Sequence, residues 1–172
     1  AGRSRPGAPV GRVLVSSTEF GQGTNTVLTQ IAAETIGVDF ADVIMAPPDT
    51  GVVPNSGPTV ASRTAMVVGR LIERASLQLV DLLREHAGLG ARYTSDEFFA
   101  ACQRYRAAKG GAVSLCRYEP PPGVFWDDQM YRGEAYPAYA WSVQVAQVAV
   151  DTVTYAADVE EFWAVQEAGR II

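Results

Sequence analysis

The sequence predicts an α+β fold. Three observations carry that prediction: helical periodicity fills most of residues 24–108, strand-like runs take over beyond Gly111, and two of those runs flank Asp151-Thr152 as an antiparallel hairpin would. Helices and strands in this order, closing on an antiparallel hairpin, give α+β rather than a doubly wound sheet. At 172 residues the chain can bury a real core, roughly two-thirds of its unfolded surface at this size.

Taken in order, residues 1–9 form a flexible lead-in rich in Gly, Pro and Arg, and residues 10–172 form the folded part. Val10 to Ser16 reads as a strand with Val13 and Val15 on one face. A helix from Thr24 to Ile36 carries an apolar stripe of Val27, Leu28, Ile31, Ala32 and Ile36, and Gly37 is placed to end it. Asp42 to Ala46 is a short second strand, followed by a Pro/Gly-rich loop. The longest helix spans Thr59 to Ala87, with a seam of Val68, Ile72, Ala75, Leu79 and Leu82 and Gly88 as its stop. A third helix covers Ser95 to Ala108; Thr94 and Glu97 have capping-box spacing and Gly110 closes it.

Residues 10–110 are thus a helix-rich half and 111–172 a strand-rich half. Ala112 to Tyr118 reads as a strand, Phe125 to Ala138 as a loop, and Trp141–Val150 with Ala157–Val165 as the hairpin. Within its first strand the apolar phase moves from Val143 and Val145 to Val148 and Val150, which calls for a bulge or for cover on both faces. The result is an antiparallel or mixed sheet with one long and two shorter helices.

Composition narrows the function classes. A net charge of −5, one lysine (Lys109) and scattered arginines leave no basic stripe for nucleic acid. No run approaches the roughly 18 apolar residues of a membrane span. Cys102 and Cys116 have no metal-ligand spacing and read as buried free thiols, which with the lack of a signal-like apolar run points to the cytoplasm.

Two segments could carry chemistry. Glu19-Phe20-Gly21-Gln22-Gly23 and Gly57-Pro58-Thr59-Val60-Ala61-Ser62-Arg63-Thr64 each place glycine, small residues and amide or hydroxyl groups at a helix start. Such starts expose unpaired N–H groups at a positive dipole end and suit anionic ligands. On the residues alone, a plain tight turn accounts for Gly21-Gln22-Gly23, and an N-cap accounts for Ser62 or Thr64. Asp127 and Asp128 read as an exposed acidic loop, His86 as a helix-end side chain, and Cys102 as core beside Phe98, Phe99 and Tyr105. Trp126, Tyr131, Tyr136, Tyr139 and Trp141 stabilise the loop against the sheet or line a channel.

The stretches Glu19–Val38 (EFGQGTNTVLTQIAAETIGV), Pro48–Gly69 (PDTGVVPNSGPTVASRTAMVVG) and Tyr139-Ala140-Trp141 through Asp151 to Glu167–Ile172 resemble the molybdopterin-binding large subunit of the xanthine dehydrogenase/aldehyde oxidase family of molybdenum hydroxylases. The resemblance implies a molybdenum-cofactor-binding-domain-like fold. It makes Phe20, Gly21, Gln22, Gly23, Ala61, Ser62 and Thr64 cofactor-binding, with the Gln22 amide bonded to an oxo ligand of molybdenum and no side chain of this chain on the metal itself. Arg63 falls where the family varies. Tyr155 stands where the hairpin turn often has Gly, and Glu167 where Asp is frequent.

The same resemblance places the general-base glutamate beyond Ile172, and iron–sulfur clusters and FAD on other domains or subunits. The expectation is therefore a fragment, inactive alone, of an enzyme that oxidises an N-heterocycle or aldehyde with water as oxygen donor. Its partners would be the remainder of the large subunit and the iron–sulfur and flavin modules. A split large subunit and a stand-alone, non-catalytic binding or scaffold domain are the alternatives.

Overall fold

The computed structural model describes residues 11–136, 138–169 and 171–172. Val10, expected to open the first strand, lies with the lead-in outside the described residues. The chain divides after Tyr118 into two units.

In the first unit, strand β1 (Gly11–Val13) and strand β2 (Val43–Met45) pair in parallel, with helix α1 (Thr24–Ile36) as their connection. The chain keeps strand alternation past β1: Val13, Val15 and Ser17 are buried, and the residues between them are not. Leu28, Ala32 and Ile36 of the predicted α1 stripe are buried, but Val27 is exposed. It faces a cleft instead of the core. Gly37 ends the helix in a left-handed conformation, its N–H donating to the Ala33 carbonyl.

The long helix begins later than Thr59. Residues 59–63 form a turn, a π-helical turn follows over Thr64–Val68, and α2 runs from Gly69 to Ala87. Its buried row is Val68, Ile72, Ser76, Val80, Leu83 and Ala87. The predicted seam shares the first two members and then runs one residue off, because the polar Ser76 hid the true register; Ala75, Leu79 and Leu82 are only half-buried. Gly69 lies where α1 and α2 approach closely: a Cβ there would sit 2.8 Å from Ile31 Cδ1. Helix α3 (Ser95–Lys109) has both bonds of the capping box, Thr94 Oγ1 accepting from the Glu97 N–H and Glu97 accepting from the Thr94 N–H.

Two apolar clusters result. Val13, Val15, Leu28, Ala32, Val43, Val68 and Ile72 form one between the strand pair and the α1/α2 crossing. Ile36, Val80, Leu83, Phe98, Phe99 and Ala101 form the other, where α3 covers the second half of α2. Phe98, Leu28 and Leu83 are the largest fully buried side chains. The Tyr93 hydroxyl donates to the Ile36 carbonyl, bonding the approach to α3 to the end of α1.

The strand predicted over Ala112–Tyr118 has no partner. Its alternation is present, with Ala112, Ser114 and Cys116 half-buried and Val113 and Leu115 exposed. Ser114 Oγ donates to the Ala75 carbonyl, and Cys116 Sγ lies 3.3 Å from Gln78 Oε1. The segment is extended but unpaired, so it is not a strand.

The second unit contains two antiparallel pairs. Strands β3 (Phe125–Asp127) and β4 (Arg132–Glu134) form a small hairpin inside the segment read as loop. Asp127 Oδ1 accepts from the Gln129 and Met130 N–H groups and shapes its turn. Strands β5 (Ser142–Val150) and β6 (Ala157–Gln166) form the predicted long hairpin. The expected irregularity is a bulge: Gln147 faces Glu161 and Val148 faces Val159, leaving Glu160 extra. Val143–Val165 and Val145–Trp163 pair on one face and Val148–Val159 on the other, all exposed. In place of one antiparallel or mixed sheet, the described strands form one parallel and two antiparallel pairs beside three helices, an α+β arrangement.

Candidate functional site

Beyond Ser17 the chain turns through Glu19–Gly23 into α1, with Gly21 at φ 113° and Gly23 at φ 85°. Those left-handed values require glycine; a Cβ at either residue would meet nothing within 4 Å. Glu19 organises the turn. Its Oε1 accepts from the N–H of Gly21 at 2.7 Å and of Gly23 at 3.1 Å, and its Oε2 from Asn25 at 2.9 Å. The backbone bonds from Asn25, Gly21 and Gly23 hold its carboxyl below the ordinary 4.5. The helix start expected to meet an anionic ligand is thus occupied by the chain's own carboxylate. Sequence reading passed over Glu19; an acidic residue just ahead of a glycine-rich helix start was the signal.

Gln22 is held at both ends of its amide. Nε2 donates to the Thr18 carbonyl at 2.7 Å and to Thr24 Oγ1 at 2.8 Å, while Oε1 accepts from the Phe20 N–H at 2.8 Å. Two threonines and the turn's own backbone therefore fix where it points.

The second segment is fastened to the same strand run. Ser56 and Ser16 exchange reciprocal backbone-to-hydroxyl bonds at 2.8 and 3.0 Å, and the Thr18 N–H donates to Thr59 Oγ1 at 2.9 Å. Arg63, given no role by the sequence, folds back and donates from Nη1 to the carbonyls of Ser56 and Pro58. Ala61 and Ser62 both have left-handed φ, 53° and 54°. That conformation costs an L-residue roughly 1–2 kcal/mol, and such strain gathers at ligand clamps. The π turn at Thr64–Val68 follows at once, a local widening often found at functional sites.

The two segments meet in a cleft of about 410 Å³ lined by Phe20, Gln22, Thr24, Val27, Leu28, Thr59, Val60, Ala61, Ser62, Thr64 and Ala65. Five of the sequence-predicted residues, Phe20, Gln22, Ala61, Ser62 and Thr64, line it; Gly21 and Gly23 do not. No lining residue is charged. The N–H groups of Ala61 and Ser62 and the hydroxyls of Ser62 and Thr64 have no partner among the described residues. Free neutral donors on a strained loop share this cleft with the Gln22 amide and an apolar floor, an arrangement that can receive an anionic group without lysine or arginine.

Other candidates lie elsewhere. Asp127 serves its turn and Asp128 is exposed. His86 is half-exposed near the end of α2. Cys102 and Cys116 are free and half-buried, and burial pushes the Cys102 thiol up to about 11. The exposed aromatics pair among themselves, Trp126 edge-on to Tyr131 at 5.3 Å and Tyr136 with Tyr139 at 6.5 Å. Among the described residues no group of three His, Cys, Asp or Glu side chains converges as a metal site, and no helix is long and apolar enough to cross a membrane.

The chain is similar to several known proteins. Xanthine dehydrogenase 2 of Arabidopsis thaliana is 29% identical over 146 residues, which is 84% of this chain and 10% of that protein. The xanthine dehydrogenase of Emericella nidulans is 31% identical over 148 residues, again 84% of this chain and 10% of the relative. The xanthine dehydrogenase molybdenum-binding subunit of Escherichia coli O157:H7 is 38% identical over 78 residues, 45% of this chain and 10% of that one. This chain thus spans about a tenth of the length of these relatives. Its fold is similar to part of the aldehyde oxidoreductase of Desulfovibrio desulfuricans, with TM-score 0.55 and 22% identity over 84% of this chain and 15% of that one. The molybdopterin cofactor-binding domain family matches residues 9–172. The chain belongs to that family.

Proposed function

We propose that this chain forms one wall of the cofactor site in the large subunit of a molybdenum hydroxylase, a working enzyme only with the rest of that subunit. The observation that carries the reading is the cleft in which the unpartnered donors of Ala61, Ser62 and Thr64 face Gln22. Ser62 and Thr64 would donate from their hydroxyls, and Ala61 and Ser62 from their N–H groups, to the pterin or its phosphate. Gln22 would turn one amide N–H from Thr24 toward the metal end, leaving its bond to the Thr18 carbonyl as the pivot. Phe20 would shield the cleft mouth, and Glu19 with Gly21 and Gly23 would keep the turn in shape. The bound cofactor would supply two-electron oxidation of an N-heterocycle or aldehyde with water as oxygen donor.

The general base would come from chain beyond Ile172. Iron–sulfur and flavin groups on other domains or subunits would carry the electrons away. The uncovered apolar pairs of β5 and β6 support a chain that lies against more protein. The free thiols favour a cytoplasmic setting. The internally satisfied Gln22 amide favours the rival reading, a non-catalytic domain that keeps the fold. The test is metal and pterin analysis of the native assembly recovered through a tag on this chain. Near-stoichiometric molybdenum, lowered by Gln22→Ala, is expected. An assembly free of both molybdenum and pterin would sink the reading.

A further inference from the structure

A second groove, of about 880 Å³, runs through the first unit. Three consecutive runs line it, Gly11–Val15, Gly111–Cys116 and the loop Gly51–Ser56, together with residues of α2 and α3, among them Ile72, Leu79 and Phe99. Consecutive residues line a groove when a strand presents its edge, since a strand's face would show only every second one. Among the described residues β1 pairs on one edge alone. The Val13 carbonyl accepts from the Ala46 N–H at 2.9 Å, on the β2 side. Successive peptide groups of a strand alternate sides, so Arg12 and Leu14 direct their N–H and C=O groups to the other edge, into the groove.

At the next outward position, Ser16, the edge is already closed by the reciprocal bonds with Ser56. The opposite wall is also an edge without a partner: no backbone group of 112–116 has a backbone bond among the described residues. Both walls anchor to the same helix, one through Ile72 and the other through Ala75 and Gln78. Val113 and Leu115, at 71% and 62% exposure, have the outward apolar pattern of a strand that lacks its neighbour.

We propose that this groove takes a short extended strand from another part of the same large subunit, seated between β1 and the 112–116 run and joining them into one sheet. The source rests on the function proposed above and on the matched stretch being only 10% of the relatives' own length; the slot itself rests on the free edges. Because Ser56 closes one end, the occupant is about four to six residues long, an ordinary strand length. It has apolar side chains at alternate positions to meet the helical floor and no proline where it pairs.

Amide hydrogen exchange tests this on two samples: the 172-residue chain alone and the native assembly recovered through a tag on it. The Arg12 and Leu14 amides and those of 112–116 that face the groove should exchange at least about ten times more slowly in the assembly, with the Val13 amide, already on the β2 side, as the control. Leu14→Pro, which removes an outward N–H and leaves the β2 pairing in place, should lower recovery of the assembly while the lone chain melts nearly as before. Equal exchange in both samples overturns the proposal. So does protection of the lone chain that grows with concentration alongside a dimer mass, since the occupant is then a second copy. Protection in an assembly without molybdenum keeps the strand and sinks the cofactor reading; molybdenum without protection does the reverse.

Discussion

Relaxing the strained pair Ala61-Ser62 should stabilise the cofactor-free protein while weakening its hold on the cofactor. Both residues sit at positive φ, 53° and 54°, a conformation that costs an L-residue roughly 1–2 kcal/mol. Glycine removes that penalty but loses about 0.5–1 kcal/mol to the greater freedom of the unfolded chain. The difference leaves Ala61→Gly and Ser62→Gly each more stable by about 0.5–1 kcal/mol, or ~1–4 °C in Tm for a chain of this length. Urea unfolding of the 172-residue chain reads this directly as a rise in midpoint without a change in slope. Three variants then separate strain from chemistry. Ser62→Gly gains stability and loses a hydroxyl, so molybdenum retention in the assembly falls. Ala61→Gly gains stability and keeps every donor, so retention falls less. Ser62→Ala keeps the strain and loses the hydroxyl, so stability holds and retention falls. If both glycine variants are instead destabilised by about 1 kcal/mol or more, the left-handed pair is supported by its contacts, and the stored-strain argument fails.

Further outcomes follow from other parts of the fold. Because the Glu19 carboxyl is depressed by the N–H groups of Asn25, Gly21 and Gly23, its contribution is complete above the unfolded value of 4.5 and disappears as pH falls through the folded one. The stability gap between wild type and Glu19→Gln, measured by urea titration, should therefore shrink on acidification; a gap constant from about pH 7 to about pH 3 would show that the charge is not what holds the turn. Thr94→Ala removes one side of the α3 capping box and should cost about 1 kcal/mol, visible as a lower urea midpoint; no change would mean Glu97 caps the helix unaided. Tyr155 has φ 58° in the β5–β6 turn, so Tyr155→Gly should slow amide exchange along that hairpin, and faster exchange would contradict the strain assignment. Phe98, 2% exposed between α2 and α3, should cost about 3–5 kcal/mol when changed to Ala by the same titration; a loss under about 1 kcal/mol would mean the α2–α3 contact is not a packed core.

Much of the architecture was legible because it is local. The capping box at Thr94, the left-handed glycines 37, 88 and 110, and the long hairpin are each specified by residues within a few positions of one another. The errors fell where a distant part of the chain decides. The α2 seam drifted because Ser76 is buried, which residue polarity alone does not reveal. The helical run begins at the π turn of Thr64, with α2 itself at Gly69, and not at Thr59, because Ser56 and Thr59 are pulled onto residues 16 and 18, forcing Ala61 and Ser62 into a conformation no helix admits. The run 112–118 has a strand's alternation, but a strand also needs a neighbour's hydrogen bonds.

The candidate site divides the same way. The sequence by itself determined the glycine-rich turn, the Pro/Gly loop and the residue types that fit an anionic cofactor without lysine, since these follow from backbone freedom and side-chain chemistry at single positions. Only the tertiary structure decided that Glu19, not a ligand, caps α1 and that Gln22 is held by Thr18 and Thr24. It alone brought Ser62 and Thr64 into one cleft with Gln22 and left β1 with an open edge. The Glu19 and Gln22 bonds span only two to six residues but need the dihedrals of the folded turn, whereas the cleft joins segments 40 or more residues apart, a separation that closes only when the core does.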